Sequence, residues 1–131
     1  MPITLDGAFG VHERALSLHA RRAEILATNL ANADTPNYRA RDIDFKAALA
    51  SAQAVSNLAP VTTTHAKHIQ ASGSDEYTLL YRNPHQPALD GNTVDTQVEQ
   101  AEFAQNALRY STSLTFLSGK IRGLMGAIKG D

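Results

Sequence analysis

The sequence predicts a mainly α-helical protein in which two long terminal helices pair as an antiparallel, coiled-coil-like hairpin. Apolar residues near the N-terminus recur in alternating steps of three and four, and the same rhythm runs unbroken near the C-terminus. The stretch between them is poorly periodic, rich in small polar residues and partly of β composition. We therefore divide one structural domain into an N-terminal axial helix (1–33), a small irregular, β-containing middle (34–93) and a C-terminal axial helix (94–131).

The first helix is predicted to span about seven turns, near 40 Å at about 1.5 Å per residue. It is expected to stop before Pro36, because proline disfavours the α conformation for the residue that precedes it. His12 and His19 lie on its apolar stripe and are interpreted as interface positions rather than metal ligands. The other expected interface residues of this helix are Phe9, Leu16, Leu26 and Leu30.

The last helix follows an Asp-Gly turn at residues 90–91, with Asn92 as the predicted N-cap and Asp95 three residues later. If its apolar face is too wide for one partner helix, neighbouring subunits must cover the surplus. The expected interface residues on this helix are Phe103, Tyr110, Leu114, Leu117, Ile121 and Leu124.

The middle segment is predicted to begin with a short helix that Asp44 caps and that ends near Asn57 and Pro60. Two stretches, residues 61–64 and 77–81, have β composition. The two prolines of residues 83–87 predict an extended connector, because prolines so close together forbid a helix.

Composition limits the possible functions. Twelve Lys and Arg against thirteen Asp and Glu give a formal charge of -1 without long runs of one sign, which argues against nucleic acid or an anionic membrane as a partner. Only four Phe, four Tyr and no Trp predict a thin core, so that apolar surface is buried against other chains. No Sec signal peptide or membrane span is expected, and composition alone predicts a soluble cytoplasmic protein.

Catalytic and metal-binding patterns are weak. The absence of cysteine excludes thiolate catalysis and Cys-based zinc sites, and no phosphate-binding glycine loop or nucleophile elbow is present. His65, His68 and His85 could be imagined around a metal ion, but their spacing matches no metal signature. We expect neither an enzyme nor a cofactor.

The stretch ATNLANADTPNYRARDIDF, residues 27–45, concentrates turn-forming residues behind the first helix. Thr35-Pro36-Asn37-Tyr38 suits a β-turn, because proline presets φ and asparagine tolerates a positive φ. One interpretation is a simple helix stop, although the density of turn chemistry exceeds what a stop requires. The alternating charges of Arg39, Arg41, Asp42 and Asp44 either belong to a solvated loop or pair with another subunit.

The same stretch resembles the motif of the rod and hook axial proteins of the bacterial flagellum. Its match to Asn-(Ile/Leu)-Ala-Asn-Ala-x-Thr-Pro-Gly-Tyr departs only at Asn37, where the family usually has glycine. The stretches RARDIDFKAAL, NPHQPALDGNTVD and NALRYSTSLTFLSGKIRGLMGAIKG resemble the proximal-rod members. The resemblance implies subunit contacts through Asn29, Leu30, Asn32, Thr35, Pro36, Tyr38, Arg41, Asp42, Asp44 and Phe45.

The resemblance further implies a structural subunit of the proximal rod, the drive shaft that crosses the periplasm and transmits torque from the MS ring toward the hook. Members assemble helically through their terminal helices and leave the cell by the flagellar type III export apparatus without a cleaved signal, which replaces the cytoplasmic location expected from composition. The implied partners are the axial proteins FliE and FlgC, the MS-ring protein FliF and the export gate. The alternative is a cytoplasmic coiled-coil adaptor or secretion chaperone, in which the same helices form a stable hairpin or dimer.

Overall fold

The structure, a computed structural model, describes residues 5–55, 77–84 and 88–130. Its elements in chain order are helix α1 (Leu5–Ala31), strand β1 (Arg41–Ile43), helix α2 (Phe45–Val55), strand β2 (Leu79–Tyr81) and helix α3 (Thr96–Lys129). The fold is mainly α-helical with one small two-stranded sheet, as the sequence predicts.

Helices α1 and α3 pack side by side in antiparallel directions. The ring of His12 lies 6.3 Å from that of Phe116, and His19 bonds to Asn106 further along the pair. The partner on α3 therefore moves toward its N-terminus as the chain advances along α1. This arrangement confirms the predicted helical hairpin. With 34 residues against 27, α3 is the longer helix by about 10 Å.

The short strands and α2 cover one flank of the hairpin. Strands β1 and β2 are antiparallel, with Asp42 opposite Leu80. The second predicted β stretch thus forms a strand at Leu79–Tyr81, whereas residues 61–64 lie outside the described part of the chain. The buried core of the described residues is small, as the shortage of large side chains predicts. Its main cluster consists of Leu18, Ile43 and Ala48, with Ile25, Phe45, Leu49 and Tyr77 packed against it.

The start of α2 agrees with the predicted cap. The Asp44 carboxylate accepts a hydrogen bond from the Ala47 N–H at 3.0 Å, and the helix begins at the next residue, Phe45. The predicted end of this helix, near Asn57 and Pro60, lies outside the described residues.

The predicted N-cap of α3 is wrong. Asp95, not Asn92, occupies that position, and its carboxylate accepts hydrogen bonds from the N–H groups of Gln97 and Val98 at 3.0 and 3.3 Å. Asp95 is the N-cap because it lies immediately before the first helical residue, where a side-chain oxygen can reach the free N–H groups of the first turn. Asn92 instead faces the end of α1.

No helix among the described residues combines the length and the apolar composition that a bilayer span requires.

Candidate assembly site

The first component of the site is the motif turn, residues 32–38, which follows α1. The Asn32 side chain donates to the carbonyl oxygen of Thr28 at 2.8 Å, and the Asn32 N–H donates to the same oxygen at 3.2 Å, so Asn32 holds the last turn of α1 through both groups. The Tyr38 N–H donates to the carbonyl oxygen of Thr35 at 3.3 Å, and Asn37 has φ 60°. The predicted β-turn is therefore present, with a positive φ at its third residue.

Asn29 anchors the motif turn from inside. Its amide oxygen accepts hydrogen bonds from the Arg41 N–H at 3.1 Å and the Tyr38 hydroxyl at 3.2 Å. Its amide nitrogen donates to the Arg41 carbonyl at 2.7 Å and to Glu99 at 3.1 Å. Asn29 is fully buried, so this side chain joins α1, β1 and α3 within one chain.

The second component is the docking loop, residues 88–95, which immediately precedes α3. The Asn92 amide nitrogen lies 3.0, 2.7 and 3.0 Å from the carbonyl oxygens of Asn32, Ala33 and Thr35. The Asn37 N–H also donates to the Asp90 carbonyl at 2.9 Å. The motif turn is thus held by a segment more than fifty residues away in sequence.

Further bonds complete this docking. The Thr93 N–H donates to the Tyr38 carbonyl at 3.0 Å, and the Thr93 hydroxyl accepts from the Ala40 N–H at 2.8 Å. Gly91 has φ 73°, and a Cβ at that position would lie 2.7 Å from Oδ1 of Asn37. Glycine therefore lets the two segments approach this closely.

The third component is the charge cluster, defined as Arg22, Asp42, Arg82, Glu99 and Glu102. Arg22 donates to both carboxylate oxygens of Asp42 at 2.8 Å, and also to Glu102 at 2.9 Å. Arg82 donates to Asp42 and to Glu99, the latter at 2.9 Å. Because its members come from α1, β1, the segment after β2 and α3, the cluster ties the middle of the chain to the helical hairpin.

Asp42 stays ionised at the centre of this cluster. Burial alone would raise the pKa of Asp42, but hydrogen bonds from Arg22 and Arg82 outweigh that effect and lower the pKa to about 2. The bond to Asp42 in turn raises the pKa of Arg22, against an opposing effect of burial. Glu99, only 2% exposed, meets the charge of Arg82. The cluster is therefore a buried ionic junction whose partners depend on one another.

His19 forms a neutral contact between the helices. Asn106 donates its amide hydrogen to the His19 carbonyl at 2.8 Å, which fixes the amide so that its oxygen accepts from Nδ1 of His19, also at 2.8 Å. The imidazole stacks on Phe45 with ring centres 4.3 Å apart. Burial lowers the pKa of His19; the bond to Asn106 acts the other way, and the charges of Arg109 and Arg22 lower it further.

No group of three potential metal ligands lies together within residues 5–55, 77–84 and 88–130. The three histidines that the sequence suggested as ligands, His65, His68 and His85, lie outside those residues.

The predicted axial interface residues divide between the inside and the outside of the hairpin. Leu26 is fully buried between the elements. The partly buried members are Phe9, Leu16, Leu30, Leu117 and Leu124, and the exposed members are Phe103, Tyr110, Leu114 and Ile121. Much of α3 therefore presents an apolar surface that the described part of the chain leaves uncovered.

The open surface of α3 extends beyond the predicted stripe. Leu108 is 68% exposed and Ile128 is 82% exposed, while Phe116 and Met125 are also exposed. Between α1 and α3 runs a mainly apolar groove of about 350 Å³, which is lined by His19, Ala20, Ala23, Phe103, Asn106, Ala107 and Tyr110. We call the exposed apolar residues of α3 the open α3 face.

The predicted motif contacts divide in the same way. The exposed members are Thr35, Pro36, Arg41 and Asp44; Leu30, Asn32, Tyr38, Asp42 and Phe45 are partly buried, and Asn29 is buried. Arg41 lies 5.7 Å from the ring centre of Tyr81. Asp42 pairs within its own chain, whereas the tip of the motif turn, residues 35–37, is exposed.

Paired terminal helices, a motif turn at one end and an open apolar face together define the class of structural axial proteins. Residues 9–39 match the family model described as "Flagella basal body rod protein". The chain belongs to the FlgB family of flagellar basal body rod proteins, and it is a structural subunit of the rod.

The membership rests on curated relatives that match nearly the whole chain. The sequence is 48% identical to the flagellar basal body rod protein FlgB of Aeromonas hydrophila over 132 residues, which cover 100% of this chain and 99% of that protein. It is 54% identical to the Cereibacter sphaeroides protein over 123 residues, 93% and 94% of the two chains. The Salmonella typhimurium protein is 46% identical over 132 residues, 96% of each chain.

Proposed function

We propose that the chain assembles helically with copies of itself and with other axial proteins to build the proximal rod. In this role the assembled rod is a drive shaft that transmits torque from the MS ring toward the hook. The observation that carries the proposal is the open α3 face. Its apolar residues lack partners in the part of the chain that the structure describes, and other subunits would supply them.

The distribution of polar and apolar residues supports this proposal. The contact between α1 and α3 contains Arg22, Glu99 and Asn106, whereas Leu108 and Ile128 are largely exposed. Full burial of one large apolar side chain contributes about 1.5–3 kcal/mol. An array of such contacts among subunits would hold an assembly together through total area rather than through one strong site, which suits a shaft under shear.

We further propose that the tip of the motif turn contacts a neighbouring subunit along the axis. Its exposed Thr35 and Pro36 lie where the chain leaves α1, so they can turn the chain out of an inner helix layer and meet another molecule. Arg41 and Asp44, also exposed, would extend this contact. Asn29 and Asp42 would support it from inside.

The proposed partners are FliE, FlgC, the MS-ring protein FliF and the export gate. We propose a location in the periplasmic part of the basal body, reached through the flagellar type III export apparatus without cleavage of a signal. The support for these partners and this route is membership of the rod family and the resemblance of three stretches to proximal-rod members. None of the comparisons favours the adaptor or chaperone alternative.

Charged substitutions on the open α3 face test the proposal. Leu108→Asp and Ile128→Asp, in cells that lack the wild-type chain, are expected to abolish swimming and to deplete the chain from isolated basal bodies, because each places a carboxylate where a neighbour must pack. Gln105→Asp is the matched control, since it adds the same charge at an exposed position of the same helix. Normal rods in both test variants would contradict the proposal.

A further inference from the structure

We propose that Asn92 is a positioning residue that makes the ordered shape of the motif turn depend on docking of the α3 N-terminus. The inference rests on the proposed function, because it takes the tip of the motif turn to contact a neighbouring subunit. It assigns a role in assembly to a buried side chain that does not reach that neighbour itself.

The motif turn beyond α1 takes a hydrogen-bond donor from a distant segment. The carbonyl groups of Thr28, Asn29 and Leu30 at the end of α1 accept from the N–H groups of Asn32 and Ala33. In the turn itself, the carbonyl oxygens of Asn32, Ala33 and Thr35 converge on the single amide nitrogen of Asn92, 57 to 60 residues further along the chain. Within the turn, the Thr35 N–H donates to the Asn32 carbonyl at 3.1 Å and the Tyr38 N–H to the Thr35 carbonyl at 3.3 Å, and the second bond is long for an N–H donor.

The other end of Asn92 is fixed to the start of α3. Its amide oxygen accepts from the Val94 N–H at 2.8 Å, and its own N–H donates to the Asp90 carboxylate at 3.1 Å. Asp95 caps α3 one residue after Val94. Hydrogen bonds on both sides of the Val94–Asp95 peptide link therefore connect the first turn of α3 to the motif turn.

Burial makes this connection hard to replace with water. Asn92 is 6% exposed, and Ala40, whose N–H depends on Thr93, is fully buried. A buried carbonyl or N–H that loses its partner is strongly destabilised in that position. The motif turn is therefore expected to keep its shape only while the docking loop covers it.

Because of this coupling, the tip of the motif turn can bind a neighbouring subunit only when the N-terminus of α3 is docked. A chain whose C-terminal helix has not docked presents no ordered tip, although the motif lies in the N-terminal third of the sequence. Only a subunit with both terminal helices paired then offers a surface that a neighbour can bind. Because the terminal helices of the free chain are marginal alone, this pairing takes place at the growing rod, where each incorporated subunit orders its tip for the next one.

Two substitutions separate the two sides of Asn92. Asn92→Ala removes every side-chain bond, whereas Asn92→Asp keeps an oxygen for the Val94 N–H and loses the donor to the three turn carbonyls. We expect both variants to enter isolated basal bodies at least tenfold less than the wild-type chain, at equal cellular amounts. Asn83→Asp, at an exposed asparagine, is the control for the added charge and is expected to assemble normally.

A stability-matched control excludes a general loss of folding. Asn106 is buried and also joins α3 to a backbone carbonyl of α1, but it lies far from the motif turn. Asn106→Ala is expected to lower the thermal midpoint of the purified chain at least as much as Asn92→Ala, yet to reduce incorporation less than threefold. If the Asn92 variants are degraded in cells, Thr93→Val tests the docking instead, because it removes the hydroxyl that accepts from the Ala40 N–H. We expect its incorporation into basal bodies to be at least threefold below wild type.

Three results would overturn the inference: wild-type incorporation of Asn92→Asp, wild-type incorporation of Thr93→Val, or Asn92 variants that assemble no worse than Asn106→Ala. A substitution at the tip itself, Pro36→Ala, separates this inference from the proposed function. Normal assembly of Pro36→Ala would refute the proposed contact at the tip. Impaired assembly of Pro36→Ala together with normal assembly of Asn92→Asp would refute only the role of Asn92.

Discussion

Arg22 and Asp42 form a two-point ion pair that fastens the middle of α1 to strand β1, with both N–O distances at 2.8 Å. The two side chains are 10% and 16% exposed, so the pair is largely shielded from water. Planar guanidinium geometry allows this two-point contact, which a lysine cannot reproduce.

Asp42→Ala is expected to lower the free energy of unfolding by about 3–5 kcal/mol, because it leaves the charges of Arg22 and Arg82 buried without their shared partner. Arg22→Lys is expected to destabilise the fold less. Thermal unfolding followed by circular dichroism, in sodium sulfate to favour the compact state, measures both effects. Arg39→Ala, at an exposed position of the same segment, is the control. An unchanged midpoint for Asp42→Ala would refute the structural role of the cluster.

The low pKa of Asp42 predicts a loss of stability in strong acid. The pKa is about 2 in the folded chain and 3.8 for the ordinary carboxyl, so the stabilising contribution is complete above pH 5 and disappears as the pH falls to 2. The contribution is about 2 kcal/mol. Unfolding midpoints measured between pH 5 and pH 2 check it. Asp42→Asn is expected to remove this part of the pH dependence while lowering stability near neutrality.

The lowered pKa of His19 predicts a separate loss of folding stability at milder pH. Its folded pKa lies below the ordinary 6.5, so protonation favours the unfolded chain, and the contribution of neutral His19 is lost as the pH falls below 6.5. Burial and the cations Arg109 and Arg22 disfavour a positive charge on the imidazole, and the hydrogen bond to Asn106 offsets only part of their effect on the pKa. His19→Gln is expected to flatten the stability profile between pH 7 and 5. A profile identical to that of wild type would contradict this assignment.

The sequence predicts the helices well and the interior of the hairpin poorly. Heptad spacing identified both long helices, because the apolar period is a local property of the chain. Their position on either side of an irregular middle led to the predicted antiparallel pairing. Yet the apolar stripe of α1, which runs through Leu16 and Ala23, misses the inner contacts made by Arg22 and Asn29. The stripe of α3 likewise misses Asn106. Polar side chains at an interface have no periodic signature of their own, and their partners come from distant segments.

The motif turn shows the same division. Its turn chemistry and the positive φ of Asn37 follow from the residue types around Pro36. The dependence of the motif turn on Asn92 does not follow from local residue types, because an asparagine after Asp-Gly is equally consistent with capping the next helix. The only local signal was the pair of possible caps, Asn92 and Asp95, of which a helix needs one.

The free chain is predicted to have largely disordered ends. Its core is small, and the open α3 face lacks partners until a rod is present, so both terminal helices are marginal alone. Circular dichroism and solution mass at micromolar concentration are expected to show a monomer with far less helix than α1 and α3 contain. A stable, highly helical dimer would instead favour the adaptor or chaperone alternative.

The exposed tip of the motif turn predicts an assembly defect without a folding defect. Pro36 is exposed, so Pro36→Ala is expected to leave the thermal midpoint nearly unchanged and to reduce swimming and incorporation into basal bodies. Asn32→Ala is expected to impair assembly as well, but with a loss of about 1 kcal/mol because its side chain bonds to the Thr28 carbonyl. Pro84→Ala removes an exposed proline elsewhere and is the control. Full motility with normal rod content in both motif variants would show that the tip is only the end of a helix.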